Sequence, residues 1–286
     1  MLYNNLSGYL RNKYGRRLKK ICIDGGFTCP NRDGKCGTGG CIFCGERGSG
    51  EHIDPSLSIK EQVEVALAGS GEDELFIAYF QNFTNTYAPP DELKRRYDAA
   101  LIDKRIKILA IGTRADCITD DICALIAEYM KEREVWVELG LQTANDTTAA
   151  IINRGYPRST FEKAMALLHK HSIPVVVHVM IGLPGEDIDD VKETCRFVSS
   201  FSPFGVKIHS VYVMRGTLLA DMYEKNLYTP PTLSEYTDAA VYMLRNLPPD
   251  TVIHRLTGDC PRDMLIAPDW NADKNKILSE IRKKME

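Results

Sequence analysis

Six short apolar runs rich in β-branched residues alternate with stretches of helical periodicity along this 286-residue chain. Such runs are typical of strands that are buried on both faces of a parallel sheet. Ser58 stands three residues before Glu61, which predicts a capping box at the start of an intervening helix. Strands are predicted at 21–23, 75–80, 106–111, 135–141, 174–181 and 206–213, and further helices at 91–102, 119–132, 159–171 and 187–200.

This alternation predicts right-handed βαβ units, which form either an open doubly wound sheet or a barrel. Polar residues stand at the carboxyl ends of the predicted strands, where barrels gather their chemistry. Open sheets also bind ligands at strand ends, so this polarity is compatible with both architectures. We favour a full or partial barrel over residues 21–215, with a basic arm at 1–20 and an extension at 216–286 packed on the barrel.

Composition narrows the class of protein. Hydrophobic residues make up 44% and charged residues 26% of the chain, values that are ordinary for a soluble globular protein. The sequence shows neither a signal peptide nor a stretch of membrane-spanning length, so we expect a cytoplasmic protein with no membrane partner. In such a protein, nine cysteines indicate metal or redox chemistry rather than disulfides.

Four of these cysteines fall within one glycine-rich loop after the first predicted strand, CPNRDGKCGTGGCIFC. A structural zinc ion with four thiolate ligands is one interpretation. The other is an iron–sulfur cluster: if Cys29, Cys41 and Cys44 bind three irons of a cubane, the fourth iron stays open to a small-molecule ligand. Spacing alone leaves both interpretations open.

The longer segment CIDGGFTCPNRDGKCGTGGCIFC resembles the cluster loop of short bacterial radical S-adenosylmethionine (SAM) proteins. These proteins lie in the branch that contains Elongator-type and oxygen-independent coproporphyrinogen oxidase enzymes. Six further segments resemble the same family in the expected order along the chain: YFQNFTNTYAP at 79–89, GTRADCI at 112–118, WVELGLQTAND at 136–146, NRGY at 153–156, HVMIGLPGE at 178–186 and RLTGDCPRD at 255–263.

The resemblance implies an α/β fold, a partial (β/α)6 TIM-like barrel that forms a radical SAM core with small N- and C-terminal extensions. It also implies a [4Fe-4S] cluster on Cys29, Cys41 and Cys44, which cleaves SAM to a 5′-deoxyadenosyl radical after reduction by a donor such as flavodoxin or ferredoxin. Cys36 is an extra thiol inside the eleven-residue spacer between the first two ligands, and it puts the choice of ligands in question.

Residues at the strand ends match SAM-contacting positions of the family. A glycine turn and a histidine within an apolar strand are also ordinary structural features, and a buried ion pair would explain an acidic residue in such a strand equally well. The candidates for cofactor contact are Gln81, Asn82, Phe83, Thr113, Arg114, Glu138, Gln142, Arg154, His178, Gly182 and Leu183.

The substrate is suggested by resemblance and by the basic arm. The nearest part of the family resembles enzymes that trim a carboxymethylaminomethyl substituent on the wobble uridine of tRNA to aminomethyl. Residues 1–20 carry six cations and no acid, interleaved with Tyr3, Tyr9 and Tyr14, a composition suited to phosphates and unpaired bases. The same composition is equally typical of a solvated amphipathic arm. Two alternatives are a radical SAM enzyme for a small metabolite or peptide and a zinc-binding module that binds nucleic acid or protein without catalysis.

Overall fold

Seven parallel strands form the central sheet of the protein. The computed structural model describes residues 2–48, 50, 53–54 and 56–286. The strands of the central sheet are Leu18–Ile23 (β1), Leu75–Phe80 (β2), Ile106–Arg114 (β3), Glu134–Gln142 (β4), Val175–Ile181 (β5), Gly205–Ser210 (β6) and Val252–Arg255 (β8). Two short antiparallel strands, Val213–Met214 (β7) and Leu265–Ala267 (β9), pair with each other outside this sheet.

Helices connect the strands and cover the outer face of the sheet. The predicted capping box is present. Ser58 Oγ accepts a hydrogen bond from the backbone N–H of Glu61, and the Glu61 carboxylate accepts one from the backbone N–H of Ser58. The helices are Leu6–Tyr14 (α1), Ile59–Leu67 (α2), Pro90–Ala100 (α3), Asp120–Met130 (α4), Asp146–Ile151 (α5), Arg158–Lys170 (α6), Ile188–Ser199 (α7), Leu218–Glu224 (α8), Leu233–Asn246 (α9) and Lys274–Met285 (α10).

The order of the strands decides between the two predicted architectures. The strands lie side by side as β1-β2-β3-β4-β5-β6-β8, in the order of the chain. A doubly wound sheet reverses its strand order at a switch point, whereas a barrel adds each strand beside the previous one. The sheet therefore curls into a half-barrel, and the predicted partial α/β barrel is confirmed. Strand β8 from the C-terminal part of the chain joins it as the seventh strand.

Two details of the prediction were wrong. The strand predicted at 206–213 leaves the central sheet after Ser210, and Val213 pairs instead with Ala267. The basic arm contains α1, which packs against the inner face of the half-barrel at its amino end, so Tyr9 and Tyr14 of this helix are not free for stacking. The hydroxyls of Tyr9 and Tyr14 donate to the Glu134 carboxylate at 2.5 and 2.6 Å.

Helix α1 closes the amino end of the half-barrel. Leu10 is buried together with Ile77, Ile108 and Trp136, which point inward from β2, β3 and β4. The backbone N–H of Ile253 donates to the carbonyl of Asn4 at 2.7 Å, so the chain before α1 is bonded to β8. The amino end is thus closed, and the carboxyl end of the half-barrel remains open to bind ligands. The domain boundaries at residues 20 and 215 stay a prediction.

Candidate functional site

The cysteines at positions 29, 41 and 44 line one cavity at the carboxyl end of the sheet. The loop that carries them turns tightly, because the backbone N–H of Arg32 donates to the carbonyl of Cys29 at 2.8 Å and that of Cys44 to the carbonyl of Cys41 at 2.9 Å. Burial raises the pKa of the Cys41 thiol to about 12. Such a thiol loses its proton when it binds a metal, which couples metal binding to pH.

Asn31 holds this loop in place, although sequence reasoning did not single it out. Its side chain is fully buried, and Nδ2 donates to the carbonyl of Asn153 at 2.5 Å and lies 3.9 Å from Cys41 Sγ. Asn153 Nδ2 in turn donates to the carbonyl of Gly40 at 2.7 Å. The two amides therefore tie the cysteine loop to the segment after α5. Its position directly after Cys29-Pro30, inside the cysteine loop, was the sequence feature that could have indicated this role.

Cys36 has different surroundings from the other three thiols of the loop. It is exposed, and its sulfur lies 3.7 Å from both Asp116 Oδ2 and Arg114 Nη2. As far as the described residues go, the cavity lining does not include Cys36. The structure thus separates the family's three ligand positions from the extra thiol.

Five of the predicted contacts at strand ends share the cavity with the thiols: Gln81, Phe83, Thr113, Arg114 and Gln142. Phe83 and Gln142 have left-handed backbones, with φ of 56° and 64°, a conformation that is uncommon outside glycine and is found often at functional sites. Gln142 follows an irregularity in the pairing of β4 with β5. A Cβ at Gly140 would lie 2.7 Å from Gln142 Nε2, so glycine there makes room for that side chain.

Arg114 brings a fixed positive charge to the cavity wall. Its Nε and Nη2 donate to the two carboxylate oxygens of Asp116 at 2.9 and 2.7 Å, and its guanidinium lies 4.9 Å from the ring centre of Tyr156. Both contacts lock the side chain in one position. The charge acts against the burial that raises the pKa of the Cys41 thiol, and so favours the thiolate that iron requires.

Glu138 and His178 also line the cavity, and they belong to a buried charged layer across the half-barrel. Glu138 accepts hydrogen bonds from Lys207 Nζ and from His178 Nε2, the latter at 3.0 Å. Burial raises the pKa of Glu138, but Lys207 and His178 outweigh it and hold that pKa well below its usual value. Burial lowers the pKa of His178 to about 4, so its ring is neutral at pH 7. Lys207 was not predicted.

The other four candidates lie outside the cavity lining. Asn82 is fully buried and donates to Asp24 Oδ2 at 2.8 Å. Gly182 and Leu183 line a separate groove between the start of α7 and the segment before α9. Arg154 is 1% exposed and is hydrogen-bonded to its own loop. The structure therefore does not bring these four residues together with the thiols.

Arg154 uses most of its donors to shape the loop after β4. Its Nη1 donates to the carbonyls of Leu141 and Thr143, both at 2.7 Å, and its Nε donates to that of Tyr156 at 2.9 Å. Its Nη2 donates to Asp146 Oδ1 at 3.1 Å. These four bonds account for the buried guanidinium without a ligand.

We expect Arg154→Lys to lower the free energy of unfolding by about 2–3 kcal/mol, because an ammonium cannot replace the fork that reaches three carbonyls. Urea denaturation of the cluster-loaded protein without oxygen measures this loss. Arg158→Lys is the matched control, since Arg158 is 44% exposed and pairs with Glu193 at the surface. Weakened SAM binding at unchanged stability would instead make Arg154 a ligand of the cofactor.

Comparison with known proteins identifies this arrangement. Residues 32–198 match the sequence model of the radical SAM superfamily, and residues 203–286 match that of the Radical_SAM C-terminal domain. The chain belongs to the radical SAM superfamily. The two matches follow each other along most of the barrel and its C-terminal part, and they agree with the family that the sequence motifs resemble.

Similar proteins place this radical SAM enzyme in the Elongator-like branch. The chain is 36% identical to the uncharacterized protein YtqA of Bacillus subtilis (strain 168), over 99% of its own length and 89% of YtqA. It is 26% identical to the tRNA uridine(34) acetyltransferase of Methanocaldococcus jannaschii, over 90% and 54% of the two chains. The solved structure of Elp3 from Methanocaldococcus infernus has the same fold, with a TM-score of 0.67, 19% identity and coverage of 93% and 63%.

As a member of this superfamily, the enzyme uses a [4Fe-4S] cluster and SAM, and its cavity suits them. Three thiols face one space, and a locked cation stands beside them. The assignment of Cys29, Cys41 and Cys44 as ligands, and of the other residues as SAM contacts, stays a prediction. Among the described residues, no group of three or more His, Cys, Asp or Glu side chains is arranged to hold a single metal ion. Over the same residues, the helices are all too short or too polar to cross a membrane.

Proposed function

We propose that this radical SAM enzyme modifies the wobble uridine of tRNA, trimming a carboxymethylaminomethyl substituent to aminomethyl. The observation that carries the proposal is the similarity to tRNA uridine(34) acetyltransferases along 90% of the chain, since residue 34 is the wobble position. The exposed cations Arg11, Arg16 and Arg17 around α1 add a surface suited to phosphates. A protein electron donor such as flavodoxin or ferredoxin supplies the electron.

In this proposal the chain's residues divide into three roles. Cys29, Cys41 and Cys44 would hold the cluster, which with bound SAM would supply the radical chemistry for taking a hydrogen atom from the substrate. Gln81 and Gln142 fix the cofactor at the strand ends. The walls of the half-barrel keep water away from the radical.

The charged layer gives the cavity its polarity. Glu138 remains ionised, since its pKa is held well below the usual value. The neutral His178 donates its Nε2 proton to Glu138, because an ionised carboxylate has none to give. His178 Nδ1 therefore carries no proton and is left as an acceptor. This arrangement places the Glu138 carboxylate and the acceptor nitrogen of His178 beside the cavity.

Mass spectrometry of tRNA nucleosides from a deletion strain tests the proposal. We expect the carboxymethylaminomethyl nucleoside to accumulate and the aminomethyl nucleoside and its derivatives to disappear. A plasmid copy of the wild-type gene should restore the profile, whereas a copy with Cys29→Ala should not. An unchanged wobble-uridine profile would refute the tRNA substrate and leave a small metabolite or peptide as the substrate class.

A further inference from the structure

The half-barrel is open on one side, between its edge strands β1 and β8. At the amino end the gap is closed by α1 and by the hydrogen bond between Asn4 and Ile253. Above that closure, side chains of the two edge strands face the interior from opposite sides. Lys20 and Cys22 share the inward face of β1 with Leu18, which belongs to the inner apolar cluster.

Three cations meet at this opening. Lys20 Nζ lies 5.3 Å and Lys207 Nζ 4.4 Å from the ring centre of Tyr79, so both ammonium groups flank one aromatic ring. Arg255 of β8 is the register partner of Lys207 of β6, which puts their side chains on the same face of the sheet. Cys22 is exposed. Burial raises the pKa of its thiol, and the positive charges of all three cations act on that pKa in the opposite direction.

The carboxylates of the region only partly balance this charge. Glu138 is bonded to Lys207, and Asp259 is shared between Arg255 at 3.3 Å and Lys274 at 2.7 Å. Among the residues that the structure describes, Lys20 has no ion-pair partner. Positive charge is therefore in excess on the inner side of the opening.

The titration of Lys207 reflects the same excess. Burial lowers the pKa of its ammonium group, the Glu138 carboxylate acts in the other direction, and Lys20 and Arg255 lower the pKa further. An anion bound among these groups would relieve the repulsion between them. It would also gain from a site that is partly removed from water, where charge pairs are stronger.

We propose that Lys20, Lys207 and Arg255 form a recognition site for a compact anionic group of the substrate, a carboxylate or a phosphate. The site adjoins the cofactor cavity, because Tyr79 and Glu138 belong to both. A substrate held by its anionic end at the opening extends toward that cavity. The proposal deepens the proposed function and rests on it only for the identity of the molecule that carries the anion.

The thiol of Cys22 allows a test that needs no substrate. Alkylation of the cluster-loaded enzyme by iodoacetate, an anion, is compared with alkylation by neutral iodoacetamide, and the rate at Cys22 is followed by peptide mass spectrometry. In the wild type the cations attract iodoacetate. We expect the ratio of the two rates to fall about tenfold in Lys20→Gln/Arg255→Gln, and by a smaller factor in Lys20→Gln alone.

Lys19→Gln is the matched control. Lys19 is the neighbour of Lys20 on β1, points to the other face and pairs with Glu74 at 2.5 Å. This variant should keep the wild-type ratio. Equal ratios in the wild type, Lys20→Gln and the double variant would overturn the proposal, and cluster content measured on each sample shows that the variants are folded.

Competition identifies the anion. Sodium acetate and sodium phosphate are added to the alkylation at equal ionic strength, with sodium chloride as the reference. If acetate slows the alkylation of Cys22 by iodoacetate more than chloride does, the site binds a carboxylate. If phosphate slows it more than chloride does, the site binds a phosphate. If neither anion slows it more than chloride does, the proposal is contradicted. A charge-dependent ratio together with an unchanged tRNA profile would keep this site and reject only the tRNA substrate.

Discussion

Replacing Cys29 by alanine is expected to lower the formation of 5′-deoxyadenosine from SAM by at least about 10³-fold, because the group that performs the cleavage is lost with its ligand. Cys41→Ala and Cys44→Ala should behave in the same way, since all three thiols face one cavity. Anaerobic reconstitution followed by iron and sulfide analysis, visible absorbance and chromatography of the nucleoside products measures the loss.

Cys36→Ala is the control for this set. Its thiol is exposed and lies beside Asp116 and Arg114 rather than with the other three. The variant should keep the brown colour of the cluster and should form the nucleoside at a rate close to that of the wild type. Loss of the cluster from Cys36→Ala, or its retention in Cys29→Ala, would show that the ligand set is wrong.

Replacing Glu138 by leucine is expected to lower the free energy of unfolding by about 3–5 kcal/mol, because it leaves the buried ammonium of Lys207 without its counter-charge. Lys207 is 3% exposed, so water cannot take the place of the carboxylate. The pKa of Lys207 is lowered to about 7, so the loss should be largest below pH 7 and should shrink as the pH rises above it, since a neutral amine needs no counter-charge. Urea denaturation of the cluster-loaded protein at several pH values measures both effects.

The double variant Glu138→Leu/Lys207→Met separates the ion pair from its surroundings. Replacing both partners of a buried pair by apolar residues of similar volume is often close to neutral. We therefore expect the double variant to recover most of the stability lost in Glu138→Leu. A single variant that costs less than about 1 kcal/mol even below pH 7 would mean that Lys207 is neutral in the folded protein.

Much of the barrel could be predicted from the sequence because its strands are buried on both faces and their apolar runs are unbroken. The role of α1 was harder to see. Its apolar positions, Leu6, Tyr9, Leu10 and Tyr14, have helical spacing, but they lie among cations and resemble a solvated arm. Only the amino end of the half-barrel, which the folded sheet creates, provides the surface that buries them.

The parts of the site that belong to a family motif, such as the cysteine loop, could be predicted from the sequence. Buried polar groups that pair across strands were harder to predict. Glu138 was singled out as an acid within an apolar strand. The same reasoning applied to Lys207 would have found its partner, but 69 positions separate the two residues in the sequence. Arg154 matched a family position, and its four acceptors exist only once the loop after β4 has folded.

The hydrogen bond between Asn4 and Ile253 joins the segment before α1 to β8, the last strand of the central sheet, and this limits when that segment can be fixed in place. A ribosome releases the N-terminal residues long before β8, so the segment before α1 lacks this partner for most of synthesis, whereas α1 itself can already pack against β2, β3 and β4. Contacts between distant parts of a chain are costly to form and slow folding. We therefore expect the β6 edge of the nascent half-barrel to stay unpaired until β8 leaves the ribosome, and an unpaired strand edge makes this stage prone to aggregation.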